Sequence, residues 1–164
     1  MTGRSDTAAA RERRRAAALG ALIGDVPYLR FLGIDFDRRG DELTGILAFD
    51  EMLIGNPVLP ALHGGATAAF LEVTAIVTLS WTLVGDDPPT AGDPAAAPPM
   101  RLPRTIDFSV DYLRPGQPRD AYARARVNRS GRRYASVHVE GWQDSRDRLF
   151  AQGTGHFLMP DHDG

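Results

Sequence analysis

The chain has 164 residues, a size that fits a single domain with its own hydrophobic core. Its 19 basic residues nearly balance its 21 acidic residues, so the overall charge gives no electrostatic case for nucleic acid as the main partner. The sequence contains no cysteine, which excludes disulfides, thiolate nucleophiles and cysteine-ligated metals.

The first 26 residues are predicted to be a helical extension that precedes the main domain. Residues 7–24 are rich in alanine and arginine, which indicates a helix polar enough to lie on the surface. The stretch has basic residues but lacks the long apolar core and small-residue cleavage pattern of a signal peptide. We therefore predict a cytoplasmic protein whose main domain covers residues 27–160.

The main domain opens with a predicted β-hairpin. The segment FLGIDFDRRGDELTGILAFD contains two runs with strand character, and the chain is expected to turn between them near Arg39 and Gly40.

A long apolar run follows, and from Gly64 to Gly85 its only charged residue is Glu72. The run is long enough to span a bilayer. However, Glu72, several threonines and two glycines at the start make it a poor lipid-facing helix. A helix that is apolar on all sides without being in lipid is normally surrounded by other protein. We predict a core helix, with Glu72 either functional or hydrogen-bonded to threonine or backbone groups.

Residues 85–103, GDDPPTAGDPAAAPPMRLP, are dense in proline, alanine and glycine. They show no hydrophobic period, which predicts a long, mobile loop that adds little to the core. We expect this loop to be largely dispensable for folding.

Four strands are predicted after the loop. In the segment RTIDFSVDYLR, the apolar residues Ile106, Phe108, Val110 and Tyr112 alternate with polar residues, as in a half-buried strand. The segments DAYARARVNR, RRYASVHVEGW and RLFAQGTGHFLM read as three further strands with short links. Short links favour an antiparallel sheet. One such sheet curling around one apolar helix makes an α+β domain.

Two segments resemble a known family. GNPVLPALHGGATAAFLEVTA resembles the pattern of an asparagine, HGG and a helical acid in PaaI-like acyl-CoA thioesterases, which have the hotdog fold. TIDFSVDYLRPG resembles the strand and turn that follow the central helix in that family. The resemblance covers about residues 27 to 159. It implies hydrolysis of an aryl or medium-chain acyl-CoA to free acid and CoA, without a cofactor, because CoA is part of the substrate.

The resemblance also implies roles for individual residues. The backbone N–H of Gly64 would polarise the thioester carbonyl, and Glu72 would be the general base or nucleophile. Thr105 would help to position water, and Asn56 matches the asparagine upstream of HGG. Because Glu72 stands where many members have aspartate, nucleophilic attack and water activation both remain open.

The chemistry supports these residue types independently of the family. Gly64 and Gly65 open the core helix, where free N–H groups and the positive dipole end favour a developing oxyanion. Glu72 lies eight residues further on, about 12 Å along the helix axis. One thioester can therefore hardly touch Gly64 and Glu72 of the same chain. We expect active sites shared between the subunits of a homodimer, with a dimer of dimers also possible.

Each candidate has an alternative without a catalytic role. His63 either fixes the loop before the helix by hydrogen bonds or acts as a base. Asn56 precedes a proline and is a natural turn residue. Thr105 is also an ordinary residue for a strand. Arg114, in YLRPG, and the pair Arg132 and Arg133 after Gly131 either bind the phosphates of CoA or are ordinary solvated side chains.

The sequence is also compatible with two other function classes. A hotdog 3-hydroxyacyl dehydratase or hydratase would need a histidine paired with an acid across the site. Here GHF occurs at residues 155–157, without the proline typical of such loops. A non-catalytic acyl-CoA-binding hotdog protein is the third class. No metal site is predicted, since His138, His156 and His162 lack metal-ligand spacing.

Overall fold

The structure is a computed structural model that describes residues 3–83 and 102–160. Most of the loop predicted over residues 85–103 lies outside the described residues, and only Leu102 and Pro103 of it are seen.

Within this part of the chain there are three α-helices and eight strands. The helices are α1 (Gly3–Gly24), α2 (Pro27–Leu32) and α3 (Gly64–Leu83). The strands are β1 (Ile34–Arg39), β2 (Glu42–Leu47), β3 (Ile54–Asn56), β4 (Ala61–Leu62), β5 (Arg104–Tyr112), β6 (Ala121–Ser130), β7 (Tyr134–Trp142) and β8 (Ala151–Leu158). The predicted hairpin is confirmed: β1 and β2 turn at Gly40, whose φ of 63° is a left-handed value that glycine adopts easily.

Six of the strands form one antiparallel sheet in the order β1-β2-β6-β7-β8-β5. Strands β3 and β4 pair separately as a short two-stranded ribbon just before α3, a feature that the sequence did not predict. Strand β5 therefore lies at one edge of the large sheet and β1 at the other. The arrangement confirms the predicted hotdog architecture of an antiparallel sheet around one central helix.

Helix α3 forms the centre of the hydrophobic core. Phe70, Leu71 and Leu79 are completely buried against small and branched side chains of β6 and β7. Gly45 on β2 lets the helix come close, because a Cβ atom there would lie 2.6 Å from Thr74 Oγ1. Although Gly64–Leu83 is long and apolar enough to cross a membrane, half of it is buried inside this domain. The helix is therefore positioned as the core helix that the sequence predicted.

The predicted burial of β5 needs a correction. Ile106 and Tyr112 were expected on the buried face, but their side chains are 53% and 56% exposed, whereas Phe108 and Val110 are half-buried. A β-bulge between Thr105 and Asp107 breaks the period of two, and the edge position leaves one side of the strand uncovered. The bulge shifts the alternation, so Thr105 and Phe108 both face α3.

Helix α1 packs against the core instead of lying freely on the surface. Leu19 and Leu22 are buried in a small cluster together with Trp81 at the C-terminal end of α3. Two guanidinium groups lie over the Trp81 ring, with Arg15 at 4.3 Å and Arg38 at 5.3 Å from its centroid. Arg15 also forms a 3.1 Å ion pair with Asp41. These contacts attach the N-terminal helix to both α3 and the β1–β2 hairpin.

Candidate active site

The turn that leads into α3 is built around His63. Its backbone N–H donates to Leu53 O at 2.7 Å, which continues the β3–β4 ribbon up to the helix. Its Nδ1 accepts the N–H of Gly65 at 2.9 Å, so one of the free N–H groups of the first helical turn is already occupied. The side chain therefore orders the helix start, as expected for a residue that fixes the loop.

Gly64 is held by its carbonyl group and leaves its N–H available. The hydroxyl of Tyr112 donates to Gly64 O at 2.8 Å. Among residues 3–83 and 102–160, no hydrogen-bond acceptor for the Gly64 N–H is found. A Cβ atom on Gly64 would lie 3.4 Å from the Tyr112 ring, so a branched side chain would crowd this corner. The first N–H of α3 is thus a fixed and unoccupied donor.

Glu72 has a partner on the neighbouring edge strand. The hydroxyl of Thr105 donates to Glu72 Oε1 at 2.6 Å, a short distance typical of an O–H···O⁻ bond. Glu72 is half-buried and Thr105 is exposed, so the carboxylate is accessible from the open side of α3. The bulge after Thr105 makes this contact possible, since a regular strand could not turn both Thr105 and Phe108 toward the helix. The contact brings together two of the residues singled out in the sequence.

The two contacts lie at opposite ends of β5. Thr105 is the second residue of the strand and lies beside Glu72, and Tyr112 ends the strand beside Gly64. The seven steps from Thr105 to Tyr112 correspond to roughly 23 Å of extended strand. The separation along the strand is larger than the roughly 12 Å between Gly64 and Glu72 along the helix axis. Both separations indicate that Gly64 and Glu72 of one chain do not meet at one reacting group.

Asn56 is engaged in a local turn. Its side-chain oxygen accepts the N–H groups of Val58 and Leu59 at 3.0 and 3.2 Å. This is the geometry of an Asx-type turn, and it stabilises the exposed tip between β3 and β4. The structure thus gives Asn56 the turn contacts that the alternative interpretation expected, and no contact with Glu72 or Thr105.

The three candidate arginines are all exposed. Arg114 follows β5 and lines a cavity of about 350 Å³ next to the start of α3. Arg132 and Arg133 lie at the tip between β6 and β7, where Arg133 O accepts the N–H of Met159 at 2.8 Å. None of the three has an acidic partner within the described part of the chain.

Two residues that position the site were not identified from the sequence. The alternation along β5 predicts Tyr112 only as a buried strand residue, although its place in YLRPG, two residues before Arg114, is a usable signal. Gly55 on β3 lies so close to His63 that a Cβ atom there would be 2.6 Å from His63 Cα. Since that contact is with backbone, Gly55 is required where it stands.

The histidine of GHF lies away from this site. His156 is exposed on β8 while its neighbours Gly155 and Phe157 are buried, so its ring lies on the sheet face opposite α3. There its Nδ1 is 2.9 Å from Asp107 Oδ1. Thus the only histidine–acid pair seen in the described residues does not include Glu72, contrary to what a hotdog dehydratase needs. Those residues also contain no group of three or more side chains able to hold a metal ion.

Comparison with known proteins places the chain among thioesterases. The family model described as Thioesterase superfamily matches residues 59–149. The protein named medium/long-chain acyl-CoA thioesterase YigI from Salmonella typhimurium is 33% identical over 84% of this chain and 92% of its own length. Its namesake from Escherichia coli is 34% identical with the same coverage. A Shewanella oneidensis protein related to the thioesterase superfamily superimposes with a TM-score of 0.72 at 28% identity, over 89% of this chain and 97% of that protein.

Proposed function

This chain belongs to the thioesterase superfamily, and on that premise we propose that it hydrolyses medium- or long-chain acyl-CoA at sites shared between two subunits. It is an acyl-CoA thioesterase, the activity in the names of its relatives. The proposed length of the substrate's acyl chain follows the names of those relatives. The cytoplasmic location remains a prediction from the sequence. The observation that carries the assignment of residues is the 2.6 Å contact between Thr105 and Glu72 beside an apolar helix.

In the proposed reaction Glu72 acts as a general base. It takes a proton from a water molecule that attacks the thioester carbonyl carbon, and the hydroxyl of Thr105 keeps the carboxylate oriented. The carbonyl oxygen becomes an oxyanion that accepts the N–H of Gly64 from the other subunit. When the C–S bond breaks, the proton passes to the CoA sulfur, and free acid and CoA leave. In the variant of this scheme, the Glu72 carboxylate attacks the thioester carbonyl carbon directly, the C–S bond breaks and the CoA thiolate leaves. Water then hydrolyses the mixed anhydride, which returns the free carboxylate of Glu72 and releases the acid.

Pairing of two β5 strands would assemble this site. The outer edge of β5 is unpaired in the described sheet, and it carries the exposed side chains of Ile106 and Tyr112. An antiparallel pairing centred on Phe108 and Ser109 puts Thr105 of one copy opposite Tyr112 of the other. Because Thr105 binds Glu72 and Tyr112 binds Gly64, the same pairing brings Glu72 beside Gly64 of the second copy. Two equivalent sites result, as a two-fold axis requires.

The exposed arginines are proposed to bind the phosphates of CoA. Arg132 and Arg133 lie at the end of the sheet where β5 begins, since β7 and β5 both pair with Leu158 of β8 there. Arg114 of the second copy lies two residues after the Tyr112 that binds its own Gly64, and therefore comes to the same site. Guanidinium groups without acidic partners are suited to phosphate because they bind it by paired, charge-assisted hydrogen bonds.

A panel of acyl-CoA substrates, assayed by thiol release, tests this function. Glu72→Gln should lower kcat by roughly two to four orders of magnitude, the loss expected for a general base, and change KM little. Glu51→Gln, an exposed carboxylate in the turn before β3, is the matched control and should keep full activity. Near-normal turnover by Glu72→Gln would return Glu72 to a structural role. No hydrolysis of any substrate by the parent protein would favour a non-catalytic acyl-CoA-binding protein.

A further inference from the structure

A small apolar cavity lies between the N-terminal helices and the open side of α3. Its volume is about 70 Å³, room for roughly two groups the size of a water molecule at about 30 Å³ each. All its lining residues are aliphatic: Leu22, Val26, Leu29, Val73, Ile76, Val77 and Leu102. None of the described side chains that line it can hydrogen-bond to a water molecule, so an apolar guest suits it better than water.

The cavity adjoins the proposed catalytic pair. Val73 is the residue after Glu72, and Ile76 lies one helical turn beyond Glu72 on the same side of α3. From the other side, Leu102 precedes Thr105 by three residues at the entrance to β5. The cavity thus lies beside the stretch of α3 that follows Glu72, on the side of Glu72 toward the C-terminal end of the helix. The Gly64 end of the helix, with Arg114, lies in the opposite direction.

We propose that this cavity receives the distal end of the substrate's acyl chain and that Leu22 and Val26 limit the chain length. The inference rests on the proposed function, because it needs a thioester held at Glu72. A linear alkyl chain is the guest that fits, since each methylene group gains about 0.8 kcal/mol on leaving water and no polar group is present to pair with a substituent. The far wall is built by Leu22 of α1 and by Val26, in the link between α1 and α2.

Helix α1 is a firm wall because it is fixed at two places. Leu22 belongs both to the cavity lining and to the cluster around Trp81, so the cavity is closed by a residue that is itself packed. Arg15, stacked on Trp81 and paired with Asp41, holds the preceding turns of the helix. A longer acyl chain could fit only if the packed side chains of α1 were displaced. The wall therefore sets a definite limit to the length of the acyl chain.

The test compares chain-length profiles from butyryl-CoA to palmitoyl-CoA. Leu22→Ala enlarges the cavity and should raise kcat/KM for chains longer than the parent optimum, by roughly fourfold for each methylene newly accommodated. Val26→Phe fills the cavity and should move the optimum to shorter chains. Leu19→Ala is the matched control, since Leu19 is equally buried on α1 but does not line the cavity. Its profile should match that of the parent.

A binding measurement separates this inference from the proposed function. In the Glu72→Gln background, calorimetry with non-hydrolysable S-alkyl-CoA thioethers should show affinity rising with chain length up to a limit, and Val26→Phe should lower that limit. Identical profiles for parent, Leu22→Ala and Val26→Phe would overturn the acyl cavity even if hydrolysis is confirmed. A shift in Leu19→Ala as large as that in Leu22→Ala would also overturn it. If the parent hydrolyses no substrate and yet binds the thioethers with an affinity that depends on alkyl-chain length, that result would refute the proposed enzymatic function and support the acyl-chain cavity.

Discussion

Removal of the Thr105 hydroxyl tests the contact on which the proposed site depends. Thr105→Val keeps the shape of the side chain and removes only the donor to Glu72 Oε1. A hydrogen bond to a charged group contributes about 1.5–3 kcal/mol. If the bond orients the carboxylate in the transition state, its loss lowers kcat by roughly tenfold to hundredfold, since about 1.36 kcal/mol corresponds to a factor of ten. KM should change little, because the contact does not involve the substrate.

The fold should tolerate the same change. Valine has nearly the shape of threonine, so the loss of stability is limited to that of the hydrogen bond, at most about 1.5–3 kcal/mol. Thermal unfolding of Thr105→Val should therefore remain cooperative, with the midpoint at most modestly below that of the parent. Thr105→Ser, which retains a hydroxyl, is the matched control and should keep most of the activity.

Glu72 and its positioning residue Thr105 should also be energetically coupled. In the Glu72→Gln background, Thr105→Val should cost much less than in the parent, because the group that it orients is already lost. The double-mutant cycle compares thiol-release kinetics of the parent, Thr105→Val, Glu72→Gln and the double variant. Three results would each refute the role given to Thr105. The kcat of Thr105→Val could equal that of the parent, or Thr105→Ser could lose as much kcat as Thr105→Val. The third is that the effects of Thr105→Val and Glu72→Gln on the activation free energy add fully in the double variant.

Two further predictions concern the shared site and the phosphates. Mixing Glu72→Gln with Gly64→Val subunits should restore activity to about a quarter of the parent value, because half of the dimers are mixed and each has one intact site; no recovery between folded, exchanging dimers would refute the shared site. Replacing Arg132 and Arg133 by alanine should raise KM and weaken its dependence on salt while kcat is largely kept; an unchanged KM would leave these arginines as solvated residues.

The sequence was sufficient for the parts of the fold that follow a simple period. The apolar run from Gly64 predicted the core helix, and alternating residues predicted β6 and β7, where Ala135, Val137 and Val139 are all buried. The isolated charge at position 72 identified Glu72 as a residue that needs a partner, and the structure supplies Thr105. These features depend on local pattern, which a single sequence displays directly.

Features that depend on long-range pairing were not accessible in the same way. The bulge at Ile106 is a mismatch of register between β5 and β8, so it leaves no mark in the period of β5 alone. Helix α2, with Pro27 in its first turn and Gly33 at its end, has six residues, too few for a clear helical period. The contact of Tyr112 with Gly64 spans 48 positions, and only the folded sheet brings the two together.

The two edges of the large sheet differ in a way that determines how far assembly can proceed. Strand β5 exposes Ile106 and Tyr112, whereas β1 consists largely of charged residues, Asp35, Asp37, Arg38 and Arg39 among its six. In the proposed dimer the two β5 edges cover each other, and both ends of the continuous sheet become β1. Short, charged edge strands are poor templates for further pairing. Edge-to-edge growth of the proposed dimer into longer sheets is thus disfavoured at both ends by the same six residues.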